Sequence, residues 1–185
     1  MRIGIITLHC SYNFGSSLQA FALQTAIERL GHEAKIIDYR SEDFDQYKLI
    51  CYKHPRQALR VLRNFGAYWR RRRSFEAFIH QSLRLTPRRF NYKDLTALDQ
   101  LQTEFDCFVC GSDQIWNLDL THGADGAFFL TFAGHKRRVA YAPSLTHTSF
   151  KDKYFARQEI AGFLNNFDYL PVRERVTLPI FKSLR

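Results

Sequence analysis

The fold is decided by residues 1–39, which read MRIGIITLHCSYNFGSSLQAFALQTAIERLGHEAKIIDY. Met1 to Leu8 is a continuous apolar run rich in β-branched residues, the pattern of a strand that is buried on both faces. A polar loop from His9 to Gly15 precedes a helix, and Ala34 to Tyr39 is a second strand. A strand, a helix and a strand over this length predict a right-handed βαβ unit and a parallel sheet.

The helix of this unit has recognisable ends and one apolar stripe. Ser16 or Ser17 can cap its first turn, and Gly31 can end it. The stripe consists of Leu23, Ala26, Ile27 and Leu30. We expect this stripe to face the sheet.

A basic, aromatic segment from about residue 41 to residue 86 is predicted to be a helical insertion. Pro55 can start its helix. The apolar stripe is predicted to comprise Ala58, Val61, Leu62, Phe65, Phe75, Phe78, Ile79 and Leu83. This spacing is that of one helix face.

Strand and helix patterns alternate through the rest of the chain. Leucines at 95, 98 and 101 mark one helix, and another is predicted from about residue 151 to residue 164. Further strands are predicted at residues 105–110, 128–132, 139–143 and 168–172. The chain is therefore predicted to be an α/β protein with a Rossmann-like, doubly wound, mostly parallel sheet, in one domain over residues 1–172.

The composition predicts a packed domain with anionic partners. Hydrophobic residues make up 45% of the 185 residues, which favours a buried core over disorder. Lys and Arg outnumber Asp and Glu by 27 to 18, giving a net charge of +9, and this favours nucleic acid, phosphates, acidic sugars or a membrane surface. Four cysteines, without a signal-peptide pattern or a long apolar span, predict a cytoplasmic protein with reduced thiols.

Large aromatic side chains are numerous for a single domain. The chain has 17 Phe, 9 Tyr and 2 Trp, so we expect an exposed apolar surface that a partner covers. Residues 173–185 resemble the opening helix of a further segment whose next strand does not follow. We therefore expect either self-association or a missing C-terminal half.

Four motifs, in order along the chain, resemble those of the polysaccharide pyruvyl transferase family. Tyr12 to Gln24 (YNFGSSLQAFALQ) is similar to the family's N-Y/F-G-N/S-x-LQAYALQ signature. Residues 105–117 (FDCFVCGSDQIWN) resemble its GSDQ-x-W segment, and residues 141–145 (YAPSL) resemble its YAxS segment. Residues 169–174 (YLPVRE) are similar to its SVRE strand end, with Pro171 in place of Ser.

This resemblance implies the N-terminal half of a GT-B-like transferase, in which two Rossmann-type domains face a cleft. It implies transfer of a pyruvyl group from phosphoenolpyruvate to two hydroxyls of a sugar or polysaccharide acceptor, as a cyclic ketal, in surface-polysaccharide biosynthesis. No cofactor besides this donor and no metal are expected. Much of the family's donor-binding set belongs to the C-terminal half, so the alternative is an inactive remnant or a glycan-binding module.

The candidate site residues follow predicted strands, where open α/β sheets bind ligands. The candidate substrate-binding residues are Asn13, Gly15, Ser16, Gln19, Ser112, Gln114, Ser144 and Arg173. Those between residues 13 and 19 lie at a helix N-terminus, whose amides can meet an anion or a sugar hydroxyl. Asp113 is the candidate catalytic residue, because its carboxylate can accept a proton from an acceptor hydroxyl.

Several of these residues also have purely structural interpretations. Asp113 can cap a short helix, Trp116 fits a core position better than a sugar platform, and Arg173 can pair with Glu174. The CxxC motif at residues 107–110 is interpreted as core, because residues three apart on a strand face opposite sides of the sheet. No second pair completes a zinc set.

The basic part of the insertion is residues 70–73, four arginines among Tyr68, Trp69 and Phe75. Arginines beside aromatic residues can bind nucleic acid, anionic glycans or a membrane surface. A solvated amphipathic helix whose arginine stems cover apolar surface explains the pattern more simply, so nucleic acid is not expected as a partner. Because four residues run round a whole turn, at least one should approach the packed side. Peripheral contact with the inner face of the membrane, through a lipid-linked acceptor, is a hypothesis.

Overall fold

The computed structural model describes residues 1–40, 63–91, 95–121, 123–145, 154–175 and 178–184. The predictions for Pro55, Ala58, Val61 and Leu62 lie outside these residues.

A five-stranded sheet forms the centre of the molecule. Its strands are β1 (Arg2–Ile6), β2 (Glu33–Tyr39), β3 (Leu85–Phe90), β4 (Cys107–Asp113) and β5 (Arg137–Pro143). They lie in the order β3-β2-β1-β4-β5, and every pairing is parallel. This is the strand order of Rossmann-like folds, so the predicted α/β fold class is confirmed.

Helices connect the strands. They are α1 (Phe14–Arg29), α2 (Phe65–Ser82), α3 (Leu95–Leu98), α4 (Tyr154–Leu164) and α5 (Leu178–Leu184), with 3₁₀ turns at Asp99–Thr103 and Thr131–Ala133. Among the residues described, no helix is both long and apolar enough to cross a membrane.

The sheet has an apolar cluster on each face. On one face, Ile3 and Ile5 of β1 pack with buried side chains of α1 and α2. On the other face, Trp116, Phe128 and Phe129 form the centre of the cluster. Cys107 belongs to the first cluster and Cys110 to the second, which confirms that the CxxC residues face opposite sides and are core.

Helix α1 begins earlier than its serines predict. Asn13, in an extended conformation, caps it, so the expectation that Ser16 or Ser17 is the cap is wrong. Leu23 and Ile27 face the core as predicted, whereas Ala26 and Leu30 are exposed. The helix ends at Arg29, and Gly31 follows with φ +83°, the left-handed conformation that glycine tolerates at a helix end.

Two strand predictions were wrong. Residues 128–132 form turns and part of a 3₁₀ helix. Their apolar side chains are buried against Trp116, whose ring stacks on Phe129 at a centroid distance of 5.1 Å, so burial rather than sheet pairing explains the run. The last predicted strand, 168–172, is reduced to a single bridge between Tyr169 and Val139.

Strand β3 was not predicted, because its sequence LTPRRF contains Pro87 and two arginines. It lies at the edge of the sheet, where a proline is tolerated. Helix α2 buries Phe75 and Ile79 as the stripe predicted, but Phe65 at its start is exposed. Strand β4 begins at Cys107 and continues through Asp113, past the predicted end at Cys110.

Candidate active site

The candidate site lies where β1 and β4 end side by side. After β1 the chain continues into α1 on one face of the sheet, whereas after β4 it packs into the cluster on the other face. The strand order reverses between β1 and β4. Such a switch point leaves a crevice at the carboxyl ends of the strands, where open α/β sheets bind ligands.

The first wall of the site is the N-terminus of α1. The side-chain oxygen of Asn13 accepts hydrogen bonds from the backbone N–H groups of Gly15, at 2.8 Å, and Ser16, at 3.3 Å. This cap fixes the turn that presents the Ser16 side chain to the end of β4.

The central contact joins Ser16 to Asp113. The Ser16 hydroxyl donates to Oδ2 of Asp113 at 2.6 Å, and Oδ1 accepts from the backbone N–H of Gln114 at 2.8 Å. Asp113 is half-buried, and within the described part of the chain no Lys, Arg or His forms an ion pair with it. The hydrogen-bond donors to its carboxylate are therefore neutral groups.

A second set of hydrogen bonds connects the backbone around Ser16 to the backbone around Asp113. The Gln19 amide donates to the Thr7 hydroxyl at 2.7 Å and to the backbone oxygen of Ser16 at 3.0 Å. Thr7 donates to the backbone oxygen of Ser112 at 3.3 Å. The Ser112 hydroxyl accepts from the backbone N–H of Asp113 at 2.7 Å. Sequence reasoning missed Thr7, because it lies inside an apolar strand run that gave no sign of a polar role.

Gly111 allows β4 and β5 to come close together beside the site. Its φ is +107°, and a side-chain Cβ there would lie 2.2 Å from the backbone oxygen of Tyr141. Any larger residue would therefore push the strands apart and displace Ser112 and Asp113.

The remaining predicted residues lie at the same edge but differ in their contacts. Gln114 accepts a hydrogen bond from Asn117 at 3.4 Å. Ser144 is buried, and its backbone N–H donates to the backbone oxygen of Asp113 at 2.9 Å. Arg173 lies beside the end of β5, but its guanidinium is 3.8 Å from the carboxylate of Glu174, the pairing expected from the structural interpretation.

Trp116, weighed in the sequence as either a sugar platform or a core residue, is fully buried. Its indole N–H donates to the backbone oxygen of Phe128 at 3.0 Å. The core interpretation is therefore confirmed.

An ionic cluster centred on the buried residues His9 and Asp38 lies at the carboxyl ends of β1, β2 and β3, and it also contains Arg40, Glu76 of α2 and the more exposed Arg89. Asp38 forms ion pairs with Arg40 and Arg89, and its Oδ1 is 3.1 Å from the ring of His9. Arg40 is also 3.7 Å from Glu76 of α2. None of these residues was singled out as a site residue from the sequence, because the contacts join segments far apart in the chain.

The cations in this cluster control the charge of Asp38. Burial alone would raise the pKa of Asp38, but hydrogen bonds and positive charge from His9 and Arg40 outweigh it and hold the pKa well below its usual range. The same cluster reaches the site loop, because the Tyr12 hydroxyl donates to Glu76 at 3.1 Å. Burial and the Glu76 carboxylate raise the pKa of Tyr12.

Asp125 is a second carboxyl that the sequence did not single out. It accepts hydrogen bonds from the Tyr39 hydroxyl at 2.6 Å and from the backbone N–H of Ala127 at 3.0 Å. Burial raises the pKa of Asp125 despite these bonds, and burial together with Asp125 raises the pKa of Tyr39. Burial therefore favours the uncharged forms of both Tyr39 and Asp125.

Comparison with known proteins adds one positive finding. A family model described as polysaccharide pyruvyl transferase matches residues 13–185, so the match begins at the residue that caps α1. No curated protein and no solved structure gives a match. The two-domain, GT-B-like architecture therefore stays a prediction. Among the described residues, no group of three or more His, Cys, Asp or Glu side chains could hold a metal ion.

Proposed function

Because the chain belongs to the polysaccharide pyruvyl transferase family, we propose that it transfers a pyruvyl group from phosphoenolpyruvate to two hydroxyls of a sugar acceptor. The methylene carbon of the donor gains a proton and becomes a methyl group. One acceptor hydroxyl adds to the neighbouring carbon, and the second displaces phosphate, so that a cyclic ketal forms. The two protons lost by the hydroxyls balance the proton gained by carbon and the one that leaves with phosphate.

The observation that carries this proposal is the contact between Ser16 and Asp113 at the switch point. A hydroxyl already donates to the Asp113 carboxylate at 2.6 Å, which is the geometry that a sugar hydroxyl would need before losing its proton. Asp113 has only neutral donors around it among the residues described, so its charge is not already balanced by a cation. We assign it the role of general base for the acceptor.

The neighbouring groups suit a sugar acceptor better than a phosphate. Asn13, Gly15, Ser16, Gln19, Ser112, Gln114 and Ser144 offer hydroxyls, amides and backbone N–H groups. The guanidinium of Arg173 is paired with Glu174. Departure of phosphate needs cations or oriented amides, but the N–H groups of Gly15 and Ser16 at the N-terminus of α1 already donate to Asn13.

The same observation supports a second candidate function. A site that binds the acceptor, but whose Arg173 guanidinium is paired with a carboxylate, could bind glycans without catalysing transfer. This candidate is a glycan-binding module, and the experiment below distinguishes it from the enzyme.

The setting of the reaction is also part of the proposal. Phosphoenolpyruvate is a cytoplasmic donor, and the acceptor is a precursor of surface polysaccharide, so we place the reaction in the cytoplasm at the inner face of the membrane. The thiols of Cys107 and Cys110, which form no disulfide, agree with a reducing compartment.

Phosphate release from phosphoenolpyruvate tests the proposal. The purified chain is incubated with galactose-, glucose- and mannose-terminated glycans, and we expect release that depends on one class of acceptor. Asp113→Asn should lower the rate by about 10²- to 10⁴-fold, the range of general acid–base catalysis. Asp99→Asn, at an exposed position in the 3₁₀ turn after α3, is the matched control and should keep full activity.

Two results would decide against the enzyme. Release that is unchanged in Asp113→Asn would remove that residue from the mechanism. A folded wild-type chain that binds one of the glycans but releases no phosphate would support the glycan-binding module instead.

A further inference from the structure

A groove of about 360 Å³ lies between α1 and α2. Its apolar walls are formed by Phe14 and Leu18 from α1 and by Phe75 and Phe78 from α2. Phe14 is 75% exposed and Leu18 is 55% exposed, although Phe14 packs against Phe75 at a ring centroid distance of 4.9 Å. The groove is therefore preformed between packed helices, and its walls are open to solvent. An exposed apolar surface of this kind is typical of an interaction site.

Positive charge lies beside the groove. Arg71 lines it and lies 5.7 Å from the ring centroid of Phe75. Residues 70–73 are all exposed arginines, and within the described ranges none of them forms an ion pair with a carboxylate. Glu76, further along α2, faces Arg40 instead, at 3.7 Å. Charge complementarity therefore favours a ligand that carries anionic groups beside an apolar surface.

The groove offers few hydrogen-bond partners to the backbone of an incoming chain. The Ser74 hydroxyl already donates to the backbone oxygen of Arg70, and the Ser17 hydroxyl oxygen is itself buried. Arg71 donates to the backbone oxygen of Tyr12. An extended segment in the groove would leave its backbone N–H and C=O groups unpaired, which is costly. A helix pairs its own backbone groups and presents apolar side chains on one face, so the groove favours a helix.

We propose that the groove between α1 and α2 binds an acidic amphipathic helix of a partner protein. The apolar side chains of this helix fill the groove, and carboxylates beside its apolar stripe pair with Arg71 and the neighbouring arginines. The proposal does not rest on the proposed function, because it uses neither Ser16 nor Asp113.

Other occupants fit these features less well. A second copy of the chain would bring its own arginines at positions 70–73 to the same surface, and like charges repel. A lipid bilayer receives apolar side chains that project from one face of a helix, whereas the apolar side chains here line a groove. A nucleic acid binds chiefly through its phosphates, which would leave Leu18 and the aromatic walls uncovered.

Synthetic peptides test the proposal. The acidic peptide has about 16 residues, enough for a helix, with leucines along one helix face and glutamates on both sides of them. A scrambled peptide has the same composition, and a basic peptide has lysine in place of glutamate. Fluorescence anisotropy measures their binding to the full chain. We expect the acidic amphipathic peptide to bind at least about tenfold more tightly than either control, and less tightly as salt is raised. Equal affinity for the acidic and scrambled peptides would overturn the proposal.

Matched variants locate the binding to the groove. Leu18→Ser should weaken the acidic peptide about tenfold, because an apolar wall is lost, and Arg71→Gln should weaken it about threefold, the effect of one exposed ion pair. Leu30→Ser, at the exposed C-cap of α1, and Arg73→Gln, whose guanidinium lies over Trp69, should have little effect. Circular dichroism checks that each variant keeps the fold. Equal losses in the groove variants and the controls would assign binding to general charge attraction and overturn the proposal.

Two further measurements distinguish the other occupants. Sedimentation velocity measures self-association, and co-sedimentation with phosphatidylglycerol vesicles measures membrane binding. We expect Leu18→Ser to change neither. A dimer of the chain that Leu18→Ser dissociates would assign the groove to a second copy, and vesicle binding that Leu18→Ser weakens as much as it weakens the peptide would assign it to a membrane surface. Either result would overturn the proposal.

Discussion

Two aspartates at the same edge of the sheet have opposite surroundings. Asp38, near the end of β2, is buried and lies among His9, Arg40 and Arg89. Asp113, at the end of β4, is half-buried and receives hydrogen bonds from a hydroxyl and a backbone N–H. Both carboxylates lie at or near the ends of apolar strand runs, so periodicity alone does not distinguish them, and only the resemblance of residues 105–117 to a family motif singled out Asp113.

The difference in partners indicates a structural role for Asp38 and a chemical role for Asp113. The charge of Asp38 is balanced by Arg40 and Arg89, so a ligand could gain little from it. The carboxylate of Asp113 accepts hydrogen bonds from neutral groups and pairs with no cation among the described residues, so it can accept a hydrogen bond from a further hydroxyl. We therefore expect Asp38 to stabilise the structure around the site and, under the proposed function, Asp113 to act on the acceptor.

The largest effect should come from removing the charge of Asp38. Asp38→Asn replaces the charged partner of Arg40 and Arg89 with a neutral amide in a largely buried setting, and we expect a loss of about 3–5 kcal/mol of unfolding free energy. Asp113→Asn should cost no more than about 1 kcal/mol, because its partners are neutral and the site is partly solvated. Urea unfolding of both variants measures the contrast. Similar losses of unfolding free energy in the two variants would contradict a structural role that belongs to Asp38 and not to Asp113.

A smaller loss of unfolding free energy is expected when the pH is lowered. The pKa of Asp38 is held below its usual range, so its contribution to stability is fully present above the pKa of an unfolded Asp, about 3.9. That contribution is lost progressively as the pH falls below this value towards the folded pKa. The loss should be partial, since a protonated carboxyl still fills the same space and accepts hydrogen bonds.

Unfolding of the wild type and of Asp38→Asn between pH 6 and pH 3 measures this contribution. The stability difference between the two proteins should shrink as the pH approaches 3. A difference that stays constant over this range would mean that Asp38 does not carry the ionic contribution.

The smallest effect should come from the cap of α1. Asn13→Ala removes the acceptor for the N–H groups of Gly15 and Ser16 and should cost about 1 kcal/mol of unfolding free energy. Because the same turn positions Ser16 against Asp113, phosphate release should also fall. Asn13→Ser keeps a capping oxygen and should restore most of both. Loss of activity in the serine variant at full stability would instead indicate that the Asn13 amide contacts substrate.

The sequence predicted the fold class well where the residue pattern of each segment fitted only one kind of secondary structure. The apolar run of β1, the capped and glycine-terminated α1 and the run of β2 agree with one βαβ unit, and the structure confirms their parallel pairing. The prediction failed for residues 128–132, where apolar residues pack beneath Trp116 in turns. It also failed for β3, whose arginines and proline suit an edge strand but do not alternate as a buried strand would.

The residues of the candidate site were likewise predicted only in part. Asn13, Ser16, Gln19, Ser112 and Asp113 were all identified from motifs, and the structure brings them into one hydrogen-bonded group; their role with a substrate stays a prediction. Thr7 was missed because a hydroxyl inside a strand run has no local signature.

The sequence by itself determined the parallel βαβ start, the burial of the CxxC residues on opposite faces and the edge of the sheet at which polar residues collect. These properties follow from periodicity and chain direction, which are local. Only the tertiary structure decided which aspartate pairs with arginines and which residue caps α1 and so presents Ser16. Charge balance and shape depend on segments that are distant in sequence, such as Ser16 with Asp113 or Asp38 with Arg89, and no local pattern records them.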